Sequence, residues 1–221
     1  MFIGHYAPAF VAAAFSPKAP RLGTLFVGAQ LVDLAFFTLV MADVEKLRLD
    51  PSNGALAPFD LYHMPYTHSI VGSVLWAAGF ALILRALGSG WRAALIGGAV
   101  VLSHWFLDLL VHLPDLTLAG HPPKLGFGLW RYPTIEIPLE LALTFGALAY
   151  WAQARGAWIQ QKGKVVTLAT VLLIVQLINW FGPAPTDMRF AMPLMALATY
   201  GFLIALAAWA DRGRARNCQT P

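Results

Sequence analysis

Histidine and aspartate residues recur at a fixed spacing within an apolar stretch of this 221-residue chain. His104, Asp108 and His112 lie four residues apart, so they share one face if the stretch is helical. Imidazole nitrogens and carboxylate oxygens are common ligands of zinc and other divalent transition metals. Since ionisable groups are costly to bury in an apolar medium, each of them is a candidate functional residue. The spacing therefore predicts a metal site on this helix face.

Further ionisable residues lie in other apolar stretches of the sequence. They are His5, Asp33, His68, Glu136 and Glu140. Hydrogen bonding between helices rarely needs so many ionisable groups, so the combined set of His68, His104 and Asp108 favours a metal site.

Several polar residues are explained as well by a structural role. Taken singly, His5, His112 and Glu140 fit structural or interfacial positions better than ligand positions. Gln176 and Asn179 fit ordinary hydrogen bonds between helices better than contacts that support a metal ligand. The metal hypothesis therefore depends on several residues meeting at one place.

The composition indicates what surrounds these residues. Apolar residues make up 58% of the chain and charged residues 12%, and the mean hydropathy is +0.63. An ordinary soluble domain is roughly one-quarter charged, so a lipid bilayer is the environment that fits this chain. The 15 Lys and Arg residues are spread thinly and form no basic patch, which argues against nucleic acid as a partner. The single cysteine, Cys218, excludes an internal disulfide framework and a cysteine-based zinc site.

The chain has enough apolar stretches to form a polytopic bundle. A membrane-spanning helix needs about 20 mostly apolar residues. Six stretches qualify, and a seventh, Phe2–Phe15, is short; the six are Leu22–Ala42, Thr67–Leu87, Trp91–Leu113, Thr134–Gln153, Val165–Gly182 and Phe190–Ala210. We therefore predict an all-α membrane bundle of about seven helices. Residues 1–210 form one transmembrane domain, and residues 211–221 form a basic cytoplasmic tail.

Basic residues favour one orientation of this bundle. With the N-terminus outside, ten Lys and Arg residues fall in inner segments and five in outer segments. The positive-inside rule therefore places the N-terminus outside and the C-terminus in the cytoplasm. In that orientation nearly all the ionisable groups of the apolar stretches lie toward the outer face, with Asp33 near mid-depth.

Short motifs in the first half of the chain resemble those of a known family. The segment from His63 to Ser69 is similar to the His-Arg-x-x-Thr-His-Ser motif of the predicted bacterial inner-membrane metal-dependent hydrolases. Ser103, His104 and Asp108 match the Ser-His-x-x-x-Asp motif of that family. Gly4-His5 and Asp33 stand where the family has an early Gly-His and a Pro-Asp-x-Asp element, and the resemblance covers about the first 112 residues.

The resemblance implies a function and a set of site residues. In the family these histidines and aspartates are the presumed metal ligands, and the pattern is similar to zinc-dependent phospholipase C and single-strand nucleases. It implies a metal-dependent hydrolase in the bacterial inner membrane that cleaves an ester or phosphoester with a divalent metal, most simply zinc. The depth of the site near the outer leaflet separately suggests a lipid or lipid-linked substrate. The implied ligands are His5, Asp33, His68, His104 and Asp108. His63 is expected as an outer ligand or acid. Glu136 lies beyond the part of the chain that the resemblance covers, and its place in an apolar stretch makes it a candidate ligand or general base.

The chain departs from the family motifs at two positions, and two alternative functions are compatible with its polar residues. Met64 replaces the motif arginine, and Asp33 is a single acid where two are usual, so substrate class and metal number are left open. An ion or proton transporter would need ionisable groups along the whole path, and the inner halves of the spans have few. A non-catalytic scaffold or assembly protein would use the same polar residues only to hold helices together, without a metal. The oligomeric state is not indicated.

Overall fold

The computed structural model describes residues 1–53, 56, 58–183 and 186–212. Most of this part of the chain is helical. The helices are α1 (Ala7–Phe15), α2 (Leu22–Met41), α3 (Ile70–Ala86), α4 (Trp91–Val111), α5 (Pro133–Ala154), α6 (Ala157–Gln160), α7 (Lys162–Phe181) and α8 (Ala191–Ala210). Residues 213–221, most of the expected cytoplasmic tail, lie outside the described residues.

The prediction of a mostly helical chain with segments long and apolar enough to span a membrane is confirmed. Within the described residues, α2, α4, α5, α7 and α8 are long and apolar enough to cross a membrane. The first apolar segment is indeed short: a 3-10 turn at Ile3–Tyr6 leads into the nine residues of α1. Helix α3 is also apolar but has 17 residues. Large apolar side chains are exposed along these helices, for example Leu75 and Ile178, as expected for a surface that faces lipid.

Helix α2 lies near the centre of the bundle. It packs against α1, α3, α4 and α8, while α3 packs along α4 and α1 packs along α5. Aromatic contacts join these layers: Tyr6 stacks on Phe26 with ring centroids 4.1 Å apart, and Phe10 meets Phe26 edge to face at 5.3 Å. The 3-10 turn is thereby fixed against α2, which holds His5 inside the bundle.

Two small antiparallel sheets lie in the long loops, where the sequence indicated no strands. Strands β1 (Lys46–Leu49) and β2 (Phe59–His63) pair between α2 and α3, and β3 (Leu116–Thr117) and β4 (Lys124–Leu125) pair between α4 and α5. Strands of two to five residues leave almost no alternation to detect in a sequence. The all-α description therefore holds for the bundle but not for its loops.

The described ends of α3 and α4 differ from the expected spans at two histidines. Helix α3 begins at Ile70 because the hydroxyl of Ser69 accepts a hydrogen bond from the N–H of Gly72, 3.0 Å away. His68 therefore precedes the helix instead of lying in its first turn. Helix α4 ends at Val111, and His112 follows it with an extended backbone. Both histidines thus sit at the junction of a helix and a loop.

At the opposite end of α2, charged residues cap helices. The Asp211 carboxylate accepts a hydrogen bond of 3.1 Å from the N–H of Leu22, the first residue of α2. The Arg155 guanidinium, after the end of α5, donates to the carbonyl oxygens of Ala13 and Ser16. Asp211, which the sequence assigned to the tail, is buried and belongs to the packed bundle.

A second capping carboxylate precedes α8. Asp187 accepts hydrogen bonds from the backbone N–H groups of Phe190 and Arg189 at 3.0 and 2.9 Å. These bonds favour the ionised form, so they lower the pKa of the Asp187 carboxyl. The side chain is exposed, and its role is to start the helix.

Candidate metal centre

Asp108 lies at the centre of a buried group of histidines. Its Oδ1 atom is 2.9 Å from Nε2 of His5 and 3.4 Å from Nε2 of His112. Its Oδ2 atom is 3.1 Å from Nε2 of His104 and 3.6 Å from Nε2 of His68. All five side chains are at least 95% buried. One carboxylate therefore faces four imidazole rings, two on each oxygen, and its Oδ1 also accepts a hydrogen bond of 3.1 Å from the amino group of Met1.

A second carboxylate closes the other side of the group. Oδ1 of Asp33 is 3.5 Å from Nε2 of both His68 and His104. The hydroxyl of Tyr200 donates a hydrogen bond of 3.1 Å to Oδ2 of Asp33, which fixes the direction of the carboxylate. Asp33 thus presents one oxygen to the histidines and uses the other for a bond to α8.

The donor atoms are close enough to share a metal ion. Three sets of residues each offer one ligand atom per residue, with all atoms of a set within 4.8 Å of one another: His5, His104 and Asp108; Asp33, His68 and His104; and His68, Asp108 and His112. These buried groups can therefore hold a metal ion. They contain all five ligands implied by the sequence and add His112, which the sequence favoured as structural.

Five different parts of the chain bring these residues together. His104 and Asp108 are one turn apart on α4, so their side chains lie on one face. Asp33 comes from the middle of α2, and His5 from the 3-10 turn. His68 comes from the segment just before α3, where the indole N–H of Trp105 donates a hydrogen bond of 3.3 Å to the His68 carbonyl oxygen. The loop after α4 covers the group, and the Trp130 ring lies 4.1 Å from the His112 ring.

Hydrogen bonds at Nδ1 orient two of the imidazoles. Nδ1 of His104 lies 2.8 Å from the carbonyl oxygen of Ala29, and Nδ1 of His112 lies 2.9 Å from Oδ1 of Asp115. A carbonyl and a carboxylate oxygen accept hydrogen bonds, so each Nδ1 carries the proton. The neutral ring then has a lone pair on Nε2, which is the form that binds a metal. Both Nε2 atoms point toward Asp108.

Within the described residues, several of the converging atoms have no hydrogen-bond partner. These buried atoms include Nε2 of His104, both ring nitrogens of His5 and Oδ2 of Asp108. An imidazole lone pair next to a carboxylate oxygen is electrostatically unfavourable, and burial makes it more so. A cation between them removes that penalty, because both groups are then its ligands. The donor set therefore fits a divalent metal.

The other acidic candidates differ in their surroundings. Glu140 accepts hydrogen bonds from the backbone N–H groups of Phe2 and Gly4 at 2.6 and 2.9 Å, and from the Gln176 amide at 3.0 Å. Its carboxylate ties the N-terminal segment to α5 and α7, which is the structural role favoured for Glu140 and Gln176. Glu136 is also buried, but its Oε2 has no hydrogen-bond partner among the described residues. Glu136 belongs to none of the three metal-compatible sets.

His63 lies apart from these sets. It is the last residue of β2, it pairs with Lys46 of β1, and it is exposed. It is a member of none of the three sets. Its expected role as an outer ligand or acid therefore has no geometric support in the described residues.

Sequence reasoning missed the residues that hold the ligands. Tyr200, Asp115 and the Ala29 carbonyl each bond the side chain of a candidate ligand, and none of them is among the predicted site residues. A tyrosine in the last span is a weak signal, because tyrosine is common at membrane interfaces. The Ala29 carbonyl leaves no signal at all, since any residue supplies a carbonyl.

The fold and the site together define a helical chain with segments able to span a membrane and a buried His/Asp cluster that could hold a metal ion. No family model, no curated protein and no solved structure matches this chain.

Proposed function

We propose that this protein is an integral membrane metal-dependent hydrolase. The observation that carries the proposal is the opposition of imidazole Nε2 lone pairs and carboxylate oxygens, 3.1–3.6 Å apart, in a buried space. The ligands are His5, Asp33, His68, His104 and Asp108, the five that the motif resemblance implies. His112 is a sixth candidate, because its Nε2 lies 3.4 Å from Asp108.

Zinc is the simplest metal for this donor set, since imidazole and carboxylate are its usual nitrogen and oxygen ligands. Such a metal activates water and polarises an ester or phosphoester oxygen when it is bound. The chain's own contribution is to hold the ligands, exclude bulk water and provide a proton acceptor. Glu136 is the proposed acceptor, because its buried Oε2 is not engaged in a hydrogen bond among the described residues. No comparable feature supports His63 in this role.

The location of the cluster supports a lipid-like substrate at the outer leaflet. Asp33, His104 and Asp108 lie within membrane-spanning helices, and the two long loops cover the same end of the bundle. The bias of ten basic residues to five would place that end outside. In a bacterium, this topology corresponds to the inner membrane, and the proposed substrate is a lipid or lipid-linked ester.

Metal content of the detergent-purified protein tests the first part of the proposal. We expect stoichiometric zinc, manganese or iron by elemental analysis of the parent, and its loss in His104→Ala and Asp108→Ala. His121→Ala is the matched control, because His121 is exposed in a loop. Each variant is checked for retained helix content by circular dichroism. A folded parent that purifies without metal, even after incubation with zinc, would contradict the proposal.

Hydrolysis of a labelled phospholipid in mixed micelles tests the second part. We expect turnover that is lost with a chelator and restored by zinc, and a strong loss in Glu136→Gln with metal content retained. Bound metal without turnover on phospholipid or other lipid-linked esters would contradict the hydrolase activity but not the metal centre, whereas a parent without metal would favour the scaffold alternative. A transporter is disfavoured by the far end of the bundle, where Arg155 and Asp211 are both engaged in capping bonds.

A further inference from the structure

A buried glutamate lies behind His68, on the side away from Asp108. Glu45 is fully buried, although it is in the loop between α2 and β1. The end of α2 places it there. Asp43 adopts a left-handed conformation (φ 62°), and the N–H of Val44 bonds to the Leu39 carbonyl at 2.9 Å, which reverses the chain as in a Schellman turn. Glu45 follows directly and points back into the protein.

The two oxygens of Glu45 have different partners. Oε1 accepts hydrogen bonds from the backbone N–H groups of Tyr66 and Thr67, at 2.8 and 3.1 Å. Oε2 accepts a hydrogen bond of 2.6 Å from the hydroxyl of Thr67. One oxygen therefore holds the backbone just before His68, and the other holds a side chain.

The Thr67 hydroxyl passes this constraint to His68. Its oxygen lies 2.8 Å from Nδ1 of His68. A hydroxyl has one hydrogen, and here it is donated to the Glu45 carboxylate, which can only accept. The hydroxyl oxygen must then accept from His68, so the proton of the neutral ring is on Nδ1. The lone pair of His68 is left on Nε2, facing Asp33 and Asp108.

We propose that Glu45 and Thr67 are positioning residues that set the tautomer of His68 and so make its Nε2 a metal ligand. The role of Nε2 as a ligand rests on the proposed metal centre, but the His68 tautomer depends only on hydrogen bonds within the chain. His104 and His112 reach the same tautomer through one direct acceptor each, whereas His68 needs two residues in series. Carboxylates that orient metal-binding histidines in this way are a common feature of metal sites.

The substitution Glu45→Gln separates this role from a purely structural one. The two backbone N–H groups hold the amide oxygen at the Oε1 position, so the amide NH2 replaces Oε2. The NH2 group donates to Thr67, whose hydroxyl must then donate to Nδ1 of His68. The ring is forced into the tautomer that carries its proton on Nε2. A protonated Nε2 has no free lone pair and therefore cannot bind a metal. The contacts that hold the loop are retained.

Nitrogen-15 NMR of histidine-labelled full-length protein in lipid nanodiscs reads the tautomer directly. The metal is first removed by a chelator, and the His68 signals are assigned from a His68→Gln sample. We expect a protonated Nδ1 in the parent and in Thr67→Ser, and a protonated Nε2 in Glu45→Gln. In parallel, zinc titration should show binding weakened about tenfold or more in Glu45→Gln and Thr67→Val, with Thr67→Ser close to the parent.

The outcomes separate this inference from the proposed function. An unchanged His68 tautomer and unchanged zinc affinity in Glu45→Gln would overturn the positioning role, while zinc bound to the parent would still support the metal centre. If the His68 tautomer switches in Glu45→Gln but the parent protein binds no metal, the hydrogen-bond relay is supported and the hydrolase proposal is overturned. Weaker zinc binding in Glu45→Gln without a tautomer change would also overturn the inference, because it would indicate a structural effect.

Discussion

The two ends of α2 both bury charged groups, but in different ways. At the Leu22 end, Asp211 bonds a backbone N–H and Arg155 bonds two backbone carbonyls. Toward the Met41 end, Asp108 and Asp33 face imidazole nitrogens, and several of these atoms lack a hydrogen-bond partner among the described residues. The first set completes the hydrogen bonding of helix ends. In the second set the amino group of Met1 donates 3.1 Å to Oδ1 of Asp108, but Oδ2 of Asp108 and Nε2 of His104 have no hydrogen-bond partner among the described residues.

Structural and functional burial of charge differ in the partners of the buried group. A buried charge that saturates backbone groups stabilises the fold without any ligand, and Glu140 is another such case. A buried carboxylate that faces the lone pairs of several imidazoles is unfavourable until a cation joins them. Burial alone does not distinguish Glu140 from Asp108, since both are 1% exposed. Their partners do.

Metal removal should give the largest difference in thermal stability between variants at the two ends of α2. At a free metal concentration 1,000 times the Kd, binding stabilises the folded state by about 4 kcal/mol, or about 10 °C in the unfolding midpoint of a chain this size. We expect a chelator to lower the midpoint by that order in the parent and in Asp211→Ala, and to have little effect in Asp108→Ala. Equal chelator effects in all three proteins would place the metal elsewhere. Thermal unfolding in detergent, followed by circular dichroism, measures the shift.

Removal of a single support of the cluster should have a smaller effect. Tyr200→Phe deletes the hydrogen bond to Asp33 but keeps the ring, so the carboxylate loses its orientation. We expect a zinc Kd about tenfold higher, because such supporting contacts typically contribute 10–100-fold. Tyr150→Phe is the matched control, since Tyr150 is 48% exposed on α5. Isothermal titration with zinc compares them, and equal affinities would show that Tyr200 does not support the site.

The smallest effect is expected at the far end of α2. Asp211→Ala leaves the N–H of Leu22 without its acceptor, which should cost about 1 kcal/mol, as for loss of a helix cap. Metal content and zinc affinity should stay at the parent level, because the change is at the other end of the helix. Denaturant unfolding and elemental analysis of the same sample test both statements. Metal loss in this variant would break the distinction between the two ends.

Much of the bundle and the ligand set could be predicted from sequence. Composition and apolar length indicated the membrane-spanning helices, because both follow from the cost of burying polar groups in lipid. The spacing of His104 and Asp108 placed them on one helix face, since helix periodicity is local. His68 was expected inside a helix, and the Ser69 cap instead leaves it just before α3. The short strands of the loops left no usable pattern.

Composition and apolar length predicted helices of membrane length, and residue types predicted imidazole and carboxylate groups within them. The packing of the helices is what brings together His5, Asp33, His68, His104, Asp108 and His112 and leaves His63 at the surface. It also assigned Glu45, Thr67 and Tyr200 to their supporting positions. The physical reason is that ligand types are properties of single residues. Tautomers and carboxylate directions depend instead on hydrogen bonds between distant parts of the chain.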